Sequence, residues 1–342
     1  MSSLGERIAE KLPEATALKR TGVGLQNAEN NRPYFVKSIN DLSISHLESE
    51  RPAIVISGGP SLHRKKSAGK IIASGFKGNI TATDGALGYC LRNGLVPDYV
   101  VCLDPHPYWI VRWFGDTELE SRPPDDYFIR QDLDPAHKEE KRWNQELIEL
   151  VNHYGPQLKI LLCTSVDISV TKRCVEAGMH IYWWNPLYDD PALPDSLSRK
   201  LFESTSIPCL VTGGNGGTAA WILTHTVLKR KHIALVGMDF GYAPGTPPLN
   251  TQFWHPLVEI LGEKRATEAF IEIFNPYLNE TWFSDPTYYW YRQVFLELAK
   301  EADCITYNCT EGGTLFGDPI IFTPLAEFLS KFSCTKKGEN NG

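Results

Sequence analysis

"CLVTGGNGGTAAWILTHTVLKRKHIALVGMDF", residues 209–240, decides the fold class of this chain. It reads as strand, glycine turn, helix, strand and acid. An apolar run at 208–211 breaks at Gly213, Gly214, Asn215, Gly216 and Gly217. A helical stretch over 217–230 then leads to a continuous apolar strand at 232–237, with Asp239 just beyond it. Glycine admits positive φ and close backbone approach, and a helix N-terminus near Gly217 offers free N–H groups to a phosphate. Gly214, Gly216 and Ala219 fit a variant of the dinucleotide fingerprint, with Asp239 closing the next strand. The plainer alternative is a tight turn that only packs helix on sheet.

The same alternation runs outward through the chain. Candidate strands are 53–57, 79–83, 98–103, 127–130, 158–163, 180–184, 208–211, 232–237 and 304–307. Several are unbroken apolar runs, as expected for strands buried on both faces of a parallel sheet. Helical stretches at 64–74, 85–93, 138–153, 168–177, 217–230 and 287–302 separate many of them. The pattern predicts a doubly wound, Rossmann-like α/β fold with a mainly parallel sheet and an N-terminal helical extension. Leu4, Ile8 and Leu12 set a helix over 1–20, and a short helix is expected near 40–49. Residues 1–50 then form the extension, 51–330 the main domain and 331–342 a disordered tail. Within the domain, 242–286 is rich in Pro, aromatic and polar residues and reads as a long loop or lid.

With 342 residues and a net charge of −7, the chain argues against a nucleic-acid partner, whose binding domains are usually basic. No apolar run is long enough for a transmembrane helix, and the N-terminus has no secretory h-region, so a cytoplasmic location is expected. The eight cysteines, at 90, 102, 163, 174, 209, 304, 309 and 334, contain no CxxC pair. They read as reduced, mostly buried thiols rather than a zinc site. The sequence assigns no oligomeric state.

In doubly wound folds ligands bind beyond the carboxyl ends of the strands, so the residues after each strand carry the functional reading. The first strand runs into Ser57, Gly58, Gly59, Pro60 and Ser61, followed by a basic cluster at 63–66. This reads either as a loop that brings backbone N–H groups to an anion or as an ordinary turn. Asp84 and Asp104 end neighbouring strands, where two carboxylates could hold a Mg2+–phosphate unit, an amine or a ribose hydroxyl. Asp84 could instead cap the helix that follows it. After a late strand, Asn308, Thr310, Glu311, Gly312 and Gly313 could contact a sugar or base. His63, His106 and His255 are candidate general acids or bases.

These loops, in this order, resemble the MptE-like domain family. The matching pieces are "SGGPSL" (57–62), "TDGAL…NGLVPDYVVCLDP" (83–105), "GGNGGTAA…KHIALVGMDF" (213–240) and "NCTEGG" (308–313). The family includes enzymes that pyrophosphorylate 6-hydroxymethyl-dihydropterin with ATP, and motility-associated (Maf) glycosyltransferases that attach nonulosonic acids to flagellin. Its glycine-proline-serine loop also looks like that of bacterial sialyltransferases that use CMP-sialic acid. The resemblance implies that Gly58 to Ser61 line nucleotide phosphates and that Asp104 sits at the donor site. It further implies that Thr218 and its neighbours meet the nucleotide and that Asn308 to Gly313 complete the pocket. The pyrophosphokinases look as if they use a D-x-D-[GS] metal motif, whereas this chain offers Asp104 alone in "VCLDP". The expected function is therefore transfer from a CMP-activated sugar to a glycan or protein acceptor, with His255 as base. An ATP-dependent pyrophosphokinase with Mg2+ on Asp84 and Asp104 is the alternative. An NAD-type oxidoreductase, with Asp239 on a ribose, is the second.

Overall fold

The computed structural model describes residues 2–333, apart from the side chains of 14–19 and 333. Its main sheet is built from β1 (Ala53–Ile56), β2 (Asn79–Thr83), β3 (Tyr99–Cys102), β4 (Lys159–Cys163), β5 (His180–Pro186), β6 (Cys209–Leu210), β7 (His232–Val236), β10 (Ile305–Asn308) and β11 (Ile321–Phe322). A separate antiparallel hairpin pairs β8 (Ile271–Asn275) with β9 (Glu280–Ser284). The sheet order is β11-β10-β7-β1-β2-β3-β4-β5-β6, and its neighbours pair in parallel.

The doubly wound character follows from β1. Ala53 and Val55 join an apolar cluster with Leu147, Trp221 and Phe295, from the helices Glu140–Tyr154, Gly216–Thr226 and Pro286–Lys300. Ile54 and Ile56 point the other way, into a cluster with Ile71, Leu325 and Phe328. A strand covered on both faces needs apolar residues at every position, which is why the sequence shows no alternation there.

The order of the strands positions the site. From β1 the chain steps outward through β2 to β6. It then returns through the helix Gly216–Thr226 to β7, on the opposite side of β1. This helix lies against β1, β2 and β3 and buries Gly217 through Thr224 continuously, which explains why it is apolar all round. The reversal between β1 and β7 is a topological switch point, where such sheets leave a crevice.

Three expectations need correction. Residues 127–130 are a helical turn rather than a strand. Phe128 is buried and Ile129 is exposed, so the run lacks the two-sided burial of a central strand. Residues 242–286 are not an irregular loop. They carry the helices Trp254–Leu261 and Glu263–Ala266 and the β8–β9 hairpin. Leu257, Ala266 and Ala269 form a small satellite core there, with Ile8 packed against it. The N-terminal helix also runs further than expected, over Leu12–Asn31. Side-chain amides stitch it to the main domain: Asn27 donates to Ser165 O at 2.8 Å and Asn31 to Val166 O at 2.8 Å.

The final helix covers Leu325–Ser333, and the rest of the segment expected to be disordered, 334–342, lies outside the described residues, as does Cys334. Cys90, Cys102, Cys163, Cys174 and Cys309 are buried, Cys209 and Cys304 are half-buried, and all seven are free thiols. Among the described residues no helix is long and apolar enough to cross a membrane.

Candidate functional site

A cleft of about 1120 Å³, counted with its solvent-open mouth, lies at the carboxyl ends of β1, β2, β3 and β7. It gathers Gly58, Gly59, Pro60, Asp84, Asp104, Gly214 to Gly217 and Asp239, residues spread over most of the chain. The two central loops are locked together. Ser57 N donates to Val236 O at 2.8 Å and Gly59 N to Gly237 O at 2.9 Å, so pairing continues beyond the strands. A Cβ on Gly59 would lie 2.2 Å from Asp239 Oδ2 and 2.5 Å from Gly237 O. That close approach is what glycine permits here.

Across the cleft, Gly213 and Gly214 take positive φ values of 63° and 82° and turn the chain into the helix Gly216–Thr226. Asn215 is its N-cap, with Oδ1 accepting from Thr218 N at 2.9 Å. The amides of Gly216 and Gly217 have no intrahelical acceptor, as in any first helical turn. Ser57 Oγ sits beside them: it is 2.8 Å from where a Cβ on Gly217 would be. That hydroxyl is buried and has no hydrogen-bond partner among the described residues. An orphaned buried hydroxyl next to a helix N-terminus calls for an explanation in a folded protein.

Asp84 is the first residue of its helix, and its Oδ1 accepts from the adjacent Gly85 N, at 2.7 Å. It is therefore not the N-cap. Burial lifts its carboxyl to about 6, although the Gly85 amide and the Cys102 thiol act in the opposite direction. Asp104 Oδ1 accepts from His106 N at 2.9 Å, and its Oδ2 accepts from Arg20 Nη1 at 3.0 Å. Asp239 is buried, and burial raises its carboxyl to about 6 against the hydrogen bonds from Ser61. Both of its oxygens are taken, Oδ2 by Ser61 N at 3.2 Å and Oδ1 by Ser61 Oγ. This leaves Asp239 poorly placed to hold a ribose hydroxyl. Among the described residues no three His, Cys, Asp or Glu side chains gather as a metal-binding group.

The remaining expected site residues lie behind or beside the cleft. Thr218 is buried beneath the Asn215 cap. Asn308 orders its own loop, donating to Leu315 O at 2.6 Å and accepting from Thr310 N at 3.0 Å. Thr310 Oγ1 accepts from Met238 N at 3.2 Å, and Glu311 pairs with Lys70 at 2.9 Å. Gly312 and Gly313 let this loop approach Ser61 and the Asp239 backbone. The segment 308–313 thus buttresses Asp239 from behind instead of completing the pocket wall. His255 is exposed, 3.3 Å from Asp126, and does not line the cleft. His106 accepts from the amides of Tyr108 and Trp109, and burial lowers its pKa. His63 faces Asp132 at 3.6 Å and lines a smaller adjoining pocket that shares Gly58, Gly59 and Gly85 with the cleft.

Several lining residues were not foreseen. Arg20 comes from the N-terminal helix, Tyr127 from the turn 127–130, and Tyr288 and Tyr291 from the helix Pro286–Lys300. Gln252 ties two of these rings together, donating to Tyr127 OH at 3.0 Å and accepting from Tyr288 OH. Tyr288 and Tyr291 stand three apart, a spacing visible in "DPTYYWYRQ" (285–293). It puts both rings on one helix face.

Comparison with known proteins relates the chain to a protein family and to solved structures. Residues 25–118 match the model of the MptE-like family, described as 6-hydroxymethylpterin diphosphokinase MptE-like. The matched segment holds the Ser57–Ser61 loop, Asp84 and Asp104, and it relates this part of the chain to that family. The structure of a Maf glycosyltransferase from Magnetospirillum magneticum AMB-1 is similar over 92% of this chain, with a TM-score of 0.55 and 14% identity. At that identity the likeness is one of fold. The chain spans 41% of the length of that protein. No curated protein matches the chain.

Proposed function

We propose that the chain is a nucleotide-dependent transferase that moves a sugar from a CMP-activated donor of the nonulosonic type to a hydroxyl of a glycan or protein acceptor. The observation that carries this reading is the unpartnered Ser57 hydroxyl beside the free amides of Gly216 and Gly217. Beside the Gly58–Gly59 turn, whose Gly59 amide is itself bonded to Gly237 O, these groups make a cradle of neutral donors at the switch point, suited to a phosphate. Likeness to the MptE-like family and to a Maf glycosyltransferase fold supports the transferase class.

In the transfer, the acceptor oxygen bonds to the anomeric carbon of the sugar. The bond from that carbon to the phosphate oxygen breaks, and CMP leaves with the electron pair. The hydroxyl proton passes to Asp84, whose carboxyl at about 6 suits a base working near neutrality. Asp84 takes this role in place of His255, which stands outside the lining. The backbone amides of the cradle stabilise the charge that develops on the leaving phosphate.

A second reading has its own observation. Asp84 and Asp104 close adjacent strands on the cleft wall. A pyrophosphokinase would hold Mg2+ on these two together with phosphate oxygens from ATP, the usual way Mg2+ is bound. Arg20 already occupies one oxygen of Asp104, so the ion would have to displace it.

Ser57→Ala tests the preferred reading. Its hydroxyl makes no bond to any described residue, so stability should stay within about 1 kcal/mol of wild type. The CMP Kd should rise by about tenfold, because a hydrogen bond to a charged phosphate oxygen is lost. An unchanged Kd, measured by calorimetry, would remove Ser57 from the phosphate cradle.

A further inference from the structure

Among the described residues lining the cleft, Arg20 is the only cation, against the carboxylates Asp84, Asp104 and Asp239. A nucleotide donor brings more negative charge into this acidic setting. The cradle of Ser57 and the glycine amides is electrically neutral and handles one phosphate. Any further anionic group of the donor then has Arg20 as its one partner of opposite charge in the described lining.

The position of Arg20 fits that task. Its guanidinium reaches in from the helix Leu12–Asn31 to Asp104, at the end of β3. The cradle lies between the ends of β1 and β2, since a Cβ on Gly216 would be 3.6 Å from Thr83. Adjacent strands stand about 4.8 Å apart, so the end of β3, whose Asp104 holds Arg20, is one to two strand spacings, ~5–10 Å, from the cradle. That is the reach of a group next to the first phosphate. The ion pair is also accessible, with side-chain exposures of 43% for Arg20 and 34% for Asp104. Pairs exposed to this degree hold weakly and exchange partners readily.

We propose that Arg20 is the ligand for a second oxyanion of the donor, leaving Asp104 when the donor binds. This rests on the nucleotide reading of the cleft. The second oxyanion is a carboxylate on the transferred sugar or a second phosphate. A guanidinium fork suits either, through two parallel hydrogen bonds. The N-terminal extension is on this account part of the donor site. Asp104, in the unliganded protein, holds Arg20 in readiness.

The test is calorimetric titration of three probes: CMP, CDP and CMP–N-acetylneuraminate. Each is titrated into wild type, Arg20→Ala, Arg20→Gln and Asp104→Asn. Arg20→Ala should weaken CMP–N-acetylneuraminate or CDP by about tenfold to a hundredfold and CMP by less than about threefold. Whichever probe responds identifies the carboxylate or the second phosphate. Asp104→Asn should tighten binding of that same probe, because Arg20 no longer has to leave a carboxylate. If Arg20→Ala does not fold, Arg20→Gln should show the same selective loss. An equal loss on all three probes, or no loss on any, overturns the proposal while the nucleotide reading stands. Weaker binding of the responsive probe to Asp104→Asn also overturns it. Failure of wild type to bind any of the three removes the CMP reading itself and this inference with it.

Discussion

Replacing Gly59 with alanine should both destabilise the protein and abolish its response to nucleotide. The new Cβ would lie 2.2 Å from Asp239 Oδ2 and 2.5 Å from Gly237 O. Neither contact can relax cheaply. Gly237 O is backbone held by Gly59 N at 2.9 Å, and the Asp239 carboxylate is pinned by Ser61. The β1 and β7 loops must therefore part. Asp239 then loses donors while still buried, a situation that costs several kcal/mol when a carboxylate is left uncompensated. Overpacking adds to this. We expect a loss of about 3 kcal/mol, read as a Tm lower by about 4 °C. No further rise in Tm should follow on adding millimolar CMP, because the amides that make the cradle are displaced. Wild-type Tm and wild-type CMP stabilisation in Gly59→Ala would contradict the close packing of these loops.

The second large effect concerns Asp84. Asp84→Asn keeps the shape of the side chain and the acceptor for Gly85 N but removes the base. A positioned general base is worth about 10²–10⁴ in rate, so kcat should fall by that factor with the CMP Kd changed less than about threefold. The sign of the pH dependence follows from the raised carboxyl. Burial lifts it to about 6, and only the deprotonated form accepts a proton. In wild type kcat/KM should therefore rise with pH up to about 6 and level off above it. In Asp84→Asn the residual rate should lose this limb. A wild-type profile in the variant would move the base elsewhere. Loss of Mg2+-dependent ATP binding with no effect on CMP would instead favour the pyrophosphokinase reading.

The legible parts of the fold are those governed by two-sided burial. β1, β4 and β7 are near-continuous apolar runs because both their faces are buried, and Gly58, Asp84, Asp104 and Gly237 mark where β1, β2, β3 and β7 stop. Asp84 and Asp104 were visible as cleft residues because their position depends only on where a strand stops. Residues 127–130 misled because four apolar or long side chains read alike in a strand and in a helical turn. The 308–313 loop misled for a related reason. Glycine marks close approach, and here Gly312 and Gly313 approach Ser61 and the Asp239 backbone, a partner the sequence does not distinguish from a ligand. Arg20 was hidden because its contact, Asp104, is 84 positions away. Nothing within a helix reports what its exposed face will meet. The helices of 242–286 were masked by Pro and aromatic residues, and their small core takes Ile8 from the distant N-terminal segment.

The central claim is that the cleft at the carboxyl ends of β1, β2, β3 and β7 holds a nucleotide by backbone amides and Ser57, without requiring a metal. Calorimetric titration of CMP and of ATP into the wild-type protein, once with Mg2+ and once with EDTA, tests it most directly. The account predicts CMP binding that persists in EDTA with an unchanged Kd. ATP binding that demands Mg2+, with no binding of CMP under either condition, would contradict it.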